Sequence, residues 1–220
     1  MGALWRSLVK AVGDDSMSLA LLGLFLVCIG SQGLSGWLAY NGSLLAAHYR
    51  EITFCAYLRT GNFLDAMLSN WQAAILQLAV LIVFSSVLRQ KGAAHSRKPD
   101  SNSHRTLKWM FGSQPTVRKW FYANSLSLAF LAMFVVTFML HILFGEWRYN
   151  EDQALLHLPL TSLSSYAVSS SFWFSVFQCW EAEFGAIGIY IVLSIFLRQM
   201  RSSESKPVGA SDEQTGGTNE

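Results

Sequence analysis

Polar side chains inside long apolar runs are the residues of this sequence best suited to chemistry. His141 lies within SLAFLAMFVVTFMLHILFGEW (127–147), and Glu181 and Glu183 lie within CWEAEFGAIGIYIVLSIFLRQ (179–199). Gln32 and Gln72 occupy comparable runs nearer the start of the chain. Ionisable groups are costly in lipid, so an imidazole and carboxylates there indicate a candidate proton or cation site.

The depth of these residues follows from the rise of a helix. Counted at about 1.5 Å per residue, Glu181 lies roughly 25 Å from Arg198, and His141 lies roughly 26 Å from Asn124. In a hydrocarbon core of about 30 Å, both residues are predicted at one shallow level. Two interpretations follow. An interhelical hydrogen bond between them is favoured, and an ionisable pathway is the alternative. Glu183 faces away from Glu181, about 200° around the helix, so the two carboxylates are not a paired acid and base.

Composition excludes an ordinary soluble domain. The chain of 220 residues is 52% hydrophobic and 14% charged, which is too apolar for a water-soluble protein of this size. Four stretches pass the length test for a transmembrane helix, and they are approximately 17–38, 70–88, 124–145 and 178–197. The predicted fold is an all-α membrane protein with four transmembrane helices.

An internal repeat predicts how these helices are organised. At an offset of 109, residues 18–41 align with 127–150, and 71–90 align with 180–199, with 10 of 24 and 8 of 20 positions identical. The chain is therefore predicted as two tandem two-span repeats, inserted the same way up as a parallel repeat. The predicted divisions are a first repeat (1–94), a basic linker (95–114), a second repeat (115–201) and a disordered tail (202–220).

Each repeat is predicted to open with an amphipathic interfacial helix followed by a polar cap. The apolar positions of these two helices are Leu4, Trp5, Leu8, Val9 and Val12 in the first copy, and Val117, Trp120 and Phe121 in the second. Asp15–Ser16 and Asn124–Ser125 are predicted to cap the long helices that follow.

The basic residues predict orientation. Thirteen of the sixteen Lys and Arg residues fall at the termini or between the second and third spans, so both termini are predicted to be cytoplasmic. Arg89 and Arg198, with Trp71 and Trp180, are expected to anchor the spans at the membrane interfaces. The basic middle loop is interpreted as a topology and lipid-headgroup element, so lipid is an expected partner and nucleic acid is not.

No catalytic or metal-binding motif is found. G-x-S-x-G, Walker A, H-E-x-x-H and Rossmann patterns do not occur. A metal site of His48, His157 and His141 is a less favoured hypothesis, because their spacing is not diagnostic. Cys55 and Cys179 could pair on the outer side, although unpaired thiols are favoured for these two and Cys28. We predict no metal and no cofactor.

Motifs at the ends of the spans resemble a known family. They are LGLFLV (22–27), GW (36–37), YN (40–41), NWQAAILQ (70–77), LRQKG (88–92) and WEAEF (180–184). They are similar to small bacterial integral membrane proteins catalogued only as a domain of unknown function. The resemblance covers nearly the whole chain and implies a bacterial inner-membrane protein with no established activity. Gln72 and Ala74 stand where the second copy has Glu181 and Glu183.

The leading functional hypothesis is a non-enzymatic accessory or interaction component of the bacterial cell envelope. Its expected partners are lipid and either a second copy or another membrane protein. A small ion, proton or solute transporter or channel lined near Gln32, Gln72, His141 and Glu181 is the alternative. An intramembrane enzyme is the least favoured.

Overall fold

A computed structural model describes residues 14–96 and 117–216. Within these ranges the chain is helical, with no strand. The helices are α1 (Ser16–Ala46), α2 (Phe54–Tyr57), α3 (Gly61–Val87), α4 (Val117–Ala123), α5 (Ser125–Leu155), α6 (Leu163–Ala167) and α7 (Ser170–Phe196). We call residues 47–60, which contain α2, the first connection, and residues 156–169, which contain α6, the second connection.

The four long helices confirm the predicted spans. Helices α1 and α5 have 31 residues each, and α3 and α7 have 27, so at 1.5 Å per residue they are about 40 Å long or longer. All four are long and apolar enough to cross a membrane. Each extends by seven or more residues past its apolar window, next to the connections. Hydropathy marks only the lipid-compatible part, whereas backbone hydrogen bonds continue into the polar turns.

Helices α1 and α5 end at histidines. His48 and His157 have positive φ angles of 62° and 54°. Around them Tyr49 N–H donates to Leu44 C=O at 2.8 Å, and Leu158 N–H donates to Gln153 C=O at 2.9 Å. A left-handed residue followed by a bond back across five residues is the Schellman helix stop. Histidine is among the non-glycine residues enriched in this conformation.

The starts of α1 and α5 differ from the predicted caps. The Asp15 side chain makes no capping hydrogen bond, and Asn124 Nδ2 donates backward to Trp120 C=O at 2.8 Å. The Asn124 amide thus closes the end of α4 instead of opening α5. Helix α4 forms over the predicted amphipathic segment, with Val117, Trp120 and Phe121 exposed. The corresponding segment at residues 4–12 lies outside the described residues.

Asparagine side chains fold each connection back onto its preceding helix. Asn41 Nδ2 donates to Ile52 C=O at 3.1 Å, and Ile52 N–H donates to Asn41 Oδ1 at 2.9 Å. Asn150 makes the same two bonds with Thr161, at 2.9 and 2.8 Å. In each connection the asparagine side chain supplies the two hydrogen bonds that a neighbouring strand would otherwise give to this peptide.

The short helices inside the connections are capped by hydroxyl groups. Thr53 Oγ1 accepts from Ala56 N–H at 3.3 Å before α2, and Ser162 Oγ accepts from Ser165 N–H at 3.3 Å before α6. Side-chain oxygens at this position satisfy amides that a helix start leaves without partners.

These features recur at one spacing. Helices α1 and α5 begin 109 residues apart and end 109 residues apart, and so do α3 and α7. The left-handed histidines, the bonding asparagines, the capping hydroxyls and the buried pair Tyr57 and Tyr166 have the same separation.

The chain divides into two compact units. Unit 1 comprises residues up to Asp65 together with Phe144–Thr161, and unit 2 comprises Ala66–Leu143 together with the chain from Ser162 onward. Helix α3 therefore contributes its first five residues to unit 1, and α5 contributes its last twelve.

Residues 202–216 of the predicted tail have no regular secondary structure and form a series of turns with defined contacts. Gly216 N–H donates to Ala93 C=O at 3.0 Å, and Gly92 N–H donates to Thr215 Oγ1 at 2.8 Å. Gly92 has a φ of +84°, and a Cβ there would lie 2.6 Å from Asp212 O. A polar composition does not distinguish a free segment from one that packs on a turn, here the turn at Gly92 and Ala93. Most of the predicted linker (95–114) lies outside the described residues.

Candidate functional site

Three groups of buried polar residues are candidates for a site, one in unit 1 and two in unit 2. In unit 2, Gln72 is fully buried at 0% exposed. Its Oε1 accepts from Trp180 Nε1 at 2.9 Å, and its Nε2 donates to Ser69 C=O at 3.0 Å. Both ends of the amide are therefore engaged, and α3 is joined to α7 through it. In membranes such a bond contributes about 0.6 kcal/mol on average and about 1.7 kcal/mol at most.

His141 is the second fully buried polar residue of unit 2. Its ring lies 5.2 Å from that of Phe172, centroid to centroid, within an aromatic layer that includes Phe138 and Tyr166. An ionisable ring with no exposure inside a membrane-spanning helix is the strongest chemical signal in this unit.

The structure does not bring Glu181 to His141, so the predicted common level is wrong. His141 lies beside Phe172, and Glu181 follows Phe172 by nine residues, about 13 Å along the helix axis. Ring contacts set the alignment of α5 and α7, since Phe134 contacts Trp180 at 6.3 Å. The depths were counted from Asn124 and from Arg198, and these two starting points do not lie at the same level. Glu181 is exposed and Glu183 is half-buried.

Two of the predicted membrane anchors have interior roles. Trp180 donates to Gln72 and contacts Phe177 at 5.8 Å. The Arg198 side chain is only 12% exposed, donates to Asp212 Oδ1 at 2.8 Å and donates to Ala210 C=O at 2.9 Å. Tail carboxylate and carbonyl groups thus occupy the positions where lipid headgroups were expected. Arg89 and Trp71 are exposed, as an interfacial role requires, and Gln32 is half-buried.

Unit 1 holds a charged cluster that sequence analysis missed. Glu151 on α5 accepts through Oε1 from Gly61 N–H at 3.1 Å, and through Oε2 from Asn62 N–H at 3.3 Å. These amides begin α3, where N–H groups lack intrahelical partners and the helix dipole favours negative charge. A carboxylate 90 residues away in the chain therefore caps the helix.

An ion pair stands beside this cap. Arg148 Nη1 donates to Asp65 Oδ2 at 2.9 Å, and Arg148 Nε lies 3.7 Å from Asp152 Oδ2. Asp65 is 2% exposed, whereas the Arg148 side chain is about half exposed. The signal that could have revealed this cluster in the sequence is the presence of charged residues in helices that are otherwise apolar. Asp65 and Arg148 were overlooked because they fall outside the apolar windows.

Neither of these two groups is arranged as a metal centre. Within residues 14–96 and 117–216, no group of three or more His, Cys, Asp or Glu side chains is arranged to hold a metal ion. His48 and His157 serve instead as helix stops. The cysteines Cys28, Cys55 and Cys179 are all thiols.

Unit 2 carries a third polar group where the tail docks. Lys206 is 1% exposed, and its Nζ donates to the carbonyls of Ser211, Asp212 and Gln214 at 3.1 to 3.2 Å. Burial, and then the nearby Arg198 charge, lower the pKa of Lys206. The three carbonyl bonds compensate for part of the lost hydration.

Beside the docked tail, His95 Nε2 lies 2.8 Å from Glu204 Oε2. Tyr190 donates to Glu204 C=O at 2.9 Å. His95 and Glu204 are themselves 109 residues apart in the chain.

Four helices able to span a membrane, with polar residues between them, define this chain as an all-helical multi-pass membrane protein. It belongs to the family described as domain of unknown function DUF6766, whose model matches residues 8–217. No curated protein and no solved structure matches the chain.

Proposed function

We propose that this chain is a non-enzymatic protein of the bacterial inner membrane that acts by binding other components of the cell envelope. The observation that carries the proposal is the use of the polar side chains within its helices. Gln72, Asp65 and Glu151 are each engaged by a neighbouring helix. Polar groups used in this way lock helices together, whereas a transport pathway needs them to face a hydrated passage.

We further propose that the chain is a tandem duplication of a two-span unit. Supporting this are the 109-residue spacing of helix boundaries, helix stops and asparagine bonds, and the sequence identities at the same offset. In a parallel repeat, equivalent residues approach one another near the pseudo-twofold axis. His95 and Glu204 are an equivalent pair in contact. After duplication the two equivalent positions could carry different residues, here His95 and Glu204, whereas two identical charges in contact would repel each other.

Site-specific photo-crosslinking in cells tests the interaction role. Val27 and Val136 are well exposed on α1 and α5, and buried Ala73 serves as the control position. We expect a crosslinker at one or both valines to capture a distinct membrane or envelope protein that Ala73 does not capture. Adducts with lipid or with this chain alone at both positions would contradict the proposal.

A transporter or channel is the second candidate, favoured by the complete burial of His141 in a membrane-spanning helix. Proteoliposomes containing the full chain would then show pH-dependent proton or cation flux. His141→Gln would abolish that flux, and Glu181→Gln would reduce it only if the exposed carboxylate also lines the path. Wild-type flux equal to that of empty liposomes would exclude this candidate.

A further inference from the structure

A groove runs along the end of α7 next to the docked tail. Its volume is about 540 Å³. One wall is the apolar face of the helix, with Ile189, Leu193 and Leu197 exposed along it. The other wall is the turn after α7, where Ser202 and Glu204 contribute polar groups. The groove is therefore apolar along its length and polar at one end.

The apolar wall identifies the kind of molecule that fits. Ile189 is 62% exposed on a helix long and apolar enough to span a membrane, so the surface around it meets lipid chains. The groove is continuous with that surface through Leu193 and Leu197. An acyl chain can therefore lie along it without leaving the bilayer, and its headgroup would then meet the polar turn.

The polar end selects the headgroup. Glu204 keeps 62% of its side chain exposed, although His95 Nε2 and the Tyr190 hydroxyl contact its Oε2 and the Ser203 hydroxyl donates to its Oε1 at 3.2 Å. The guanidinium of Arg198, also in the lining, is mostly covered and is engaged by Asp212 and by carbonyl groups. Of the two charged residues that line the groove, Glu204 is therefore the accessible one. A primary ammonium can donate hydrogen bonds to it, whereas a headgroup with only negative charge would be repelled.

We propose that this groove binds a phospholipid whose headgroup carries a primary amine, with the ammonium at Glu204 and an acyl chain along Ile189 and Leu193. The site recognises the amine by hydrogen bonding as well as by charge. A trimethylated headgroup, which keeps the charge but has no N–H, binds less well.

Lipid binding to the purified full chain tests the site. Delipidated protein in detergent is titrated with phosphatidylethanolamine, phosphatidylcholine and phosphatidylglycerol of identical chains, and bound lipid is counted by native mass spectrometry. We expect phosphatidylethanolamine to bind about fivefold more tightly than the other two, as a partly exposed charged hydrogen bond allows. Equal binding of all three lipids, or of none, would overturn the proposal.

Variants locate the recognition. Glu204→Gln should lower phosphatidylethanolamine binding to the level of phosphatidylcholine. Glu213→Gln, an exposed tail carboxylate outside the groove, should leave the preference unchanged. The melting temperature without lipid shows that each variant is folded, and Leu193→Trp provides an independent test by filling the apolar wall. A preference that survives both Glu204→Gln and Leu193→Trp would place the lipid elsewhere and overturn the assignment.

Discussion

At the scale of single residues, side chains in this protein complete the hydrogen bonding of backbone that regular structure leaves open. Asn41 and Asn150 each bond both polar atoms of one peptide group, and Glu151 bonds two amides. The repeated Tyr-Asn pair was visible in the sequence, but its role was not. An asparagine acquires this role only once the chain returns to it eleven residues later.

Replacing Asn41 with alanine should therefore destabilise the fold. Asn41 is 5% exposed, and its loss leaves the Ile52 N–H without that acceptor, which costs about 1–3 kcal/mol. Trp37 still donates to the Ile52 carbonyl. Asn70→Ala, at an exposed site where the amide bonds its own helix, is the matched control. Unfolding by dodecyl sulfate titration measures both, and equal effects would argue against the bonding role.

The Arg148–Asp65 pair should behave as an ion pair in which only the carboxyl group is buried. Arg148→Gln removes the guanidinium that bonds the Asp65 carboxyl group, which is 2% exposed, and breaking such a pair costs about 3 kcal/mol. Adding Asp65→Asn should recover much of that loss, because the buried charge is then removed. A double-mutant cycle on unfolding free energies measures the coupling. Additive effects of the two substitutions would show that the pair is not coupled.

At the scale of elements, the sequence predicted the four long helices and their order but not their ends. Hydropathy located the middles, since the apolar run is the part that lipid selects. The ends depend on a left-handed histidine, a distant carboxylate or a tail that docks. None of these has a local composition signal, and the same limitation caused the error in the relative level of His141 and Glu181.

At Gly61 the backbones of α3 and α5 approach each other closely. A Cβ at this position would overlap the backbone of Arg148, with the Cα only 2.8 Å away. Gly61→Ala should therefore separate α3 from α5, weaken the Glu151 cap and destabilise the protein by about 1–3 kcal/mol. Gly188→Ala, which has nothing within 4 Å, should be neutral or stabilising by up to about 1 kcal/mol. Equal changes of the melting temperature in the two variants would show that the close contact with Arg148 is not the reason for a glycine at position 61.

At the scale of the whole molecule, the two halves resemble each other in backbone but not in charge. Arg148 and Glu151 have Ala39 and Gly42 at the corresponding first-half positions, and Asp65 has Phe174 in the second half. Sequence comparison found the correspondence and the one-sided glutamates Glu181 and Glu183. It did not find the charged cluster, because equivalence in sequence does not show which copies meet in space.

If the four candidate spans among the described residues all cross the membrane, the first connection and the tail lie on opposite sides of it. Single cysteines at Ala210 and at Arg59, introduced after Cys28, Cys55 and Cys179 are replaced by serine, should therefore react from opposite sides. A membrane-impermeant maleimide applied to intact cells should label the cysteine at 59 and spare the one at 210 until the cells are permeabilised, as the placement of basic residues predicts. Labelling of position 210 in intact cells would invert the proposed orientation.

The Glu151 cap also sets an order for synthesis. Glu151 follows Gly61 by 90 residues, which at 5–20 residues per second is an interval of roughly 5–20 s. During that interval the nascent first pair of spans lacks the carboxylate that caps α3 and the arginine that neutralises Asp65. We therefore expect slow translation between the two halves to prolong an intermediate in which α3 has not yet gained these contacts from α5.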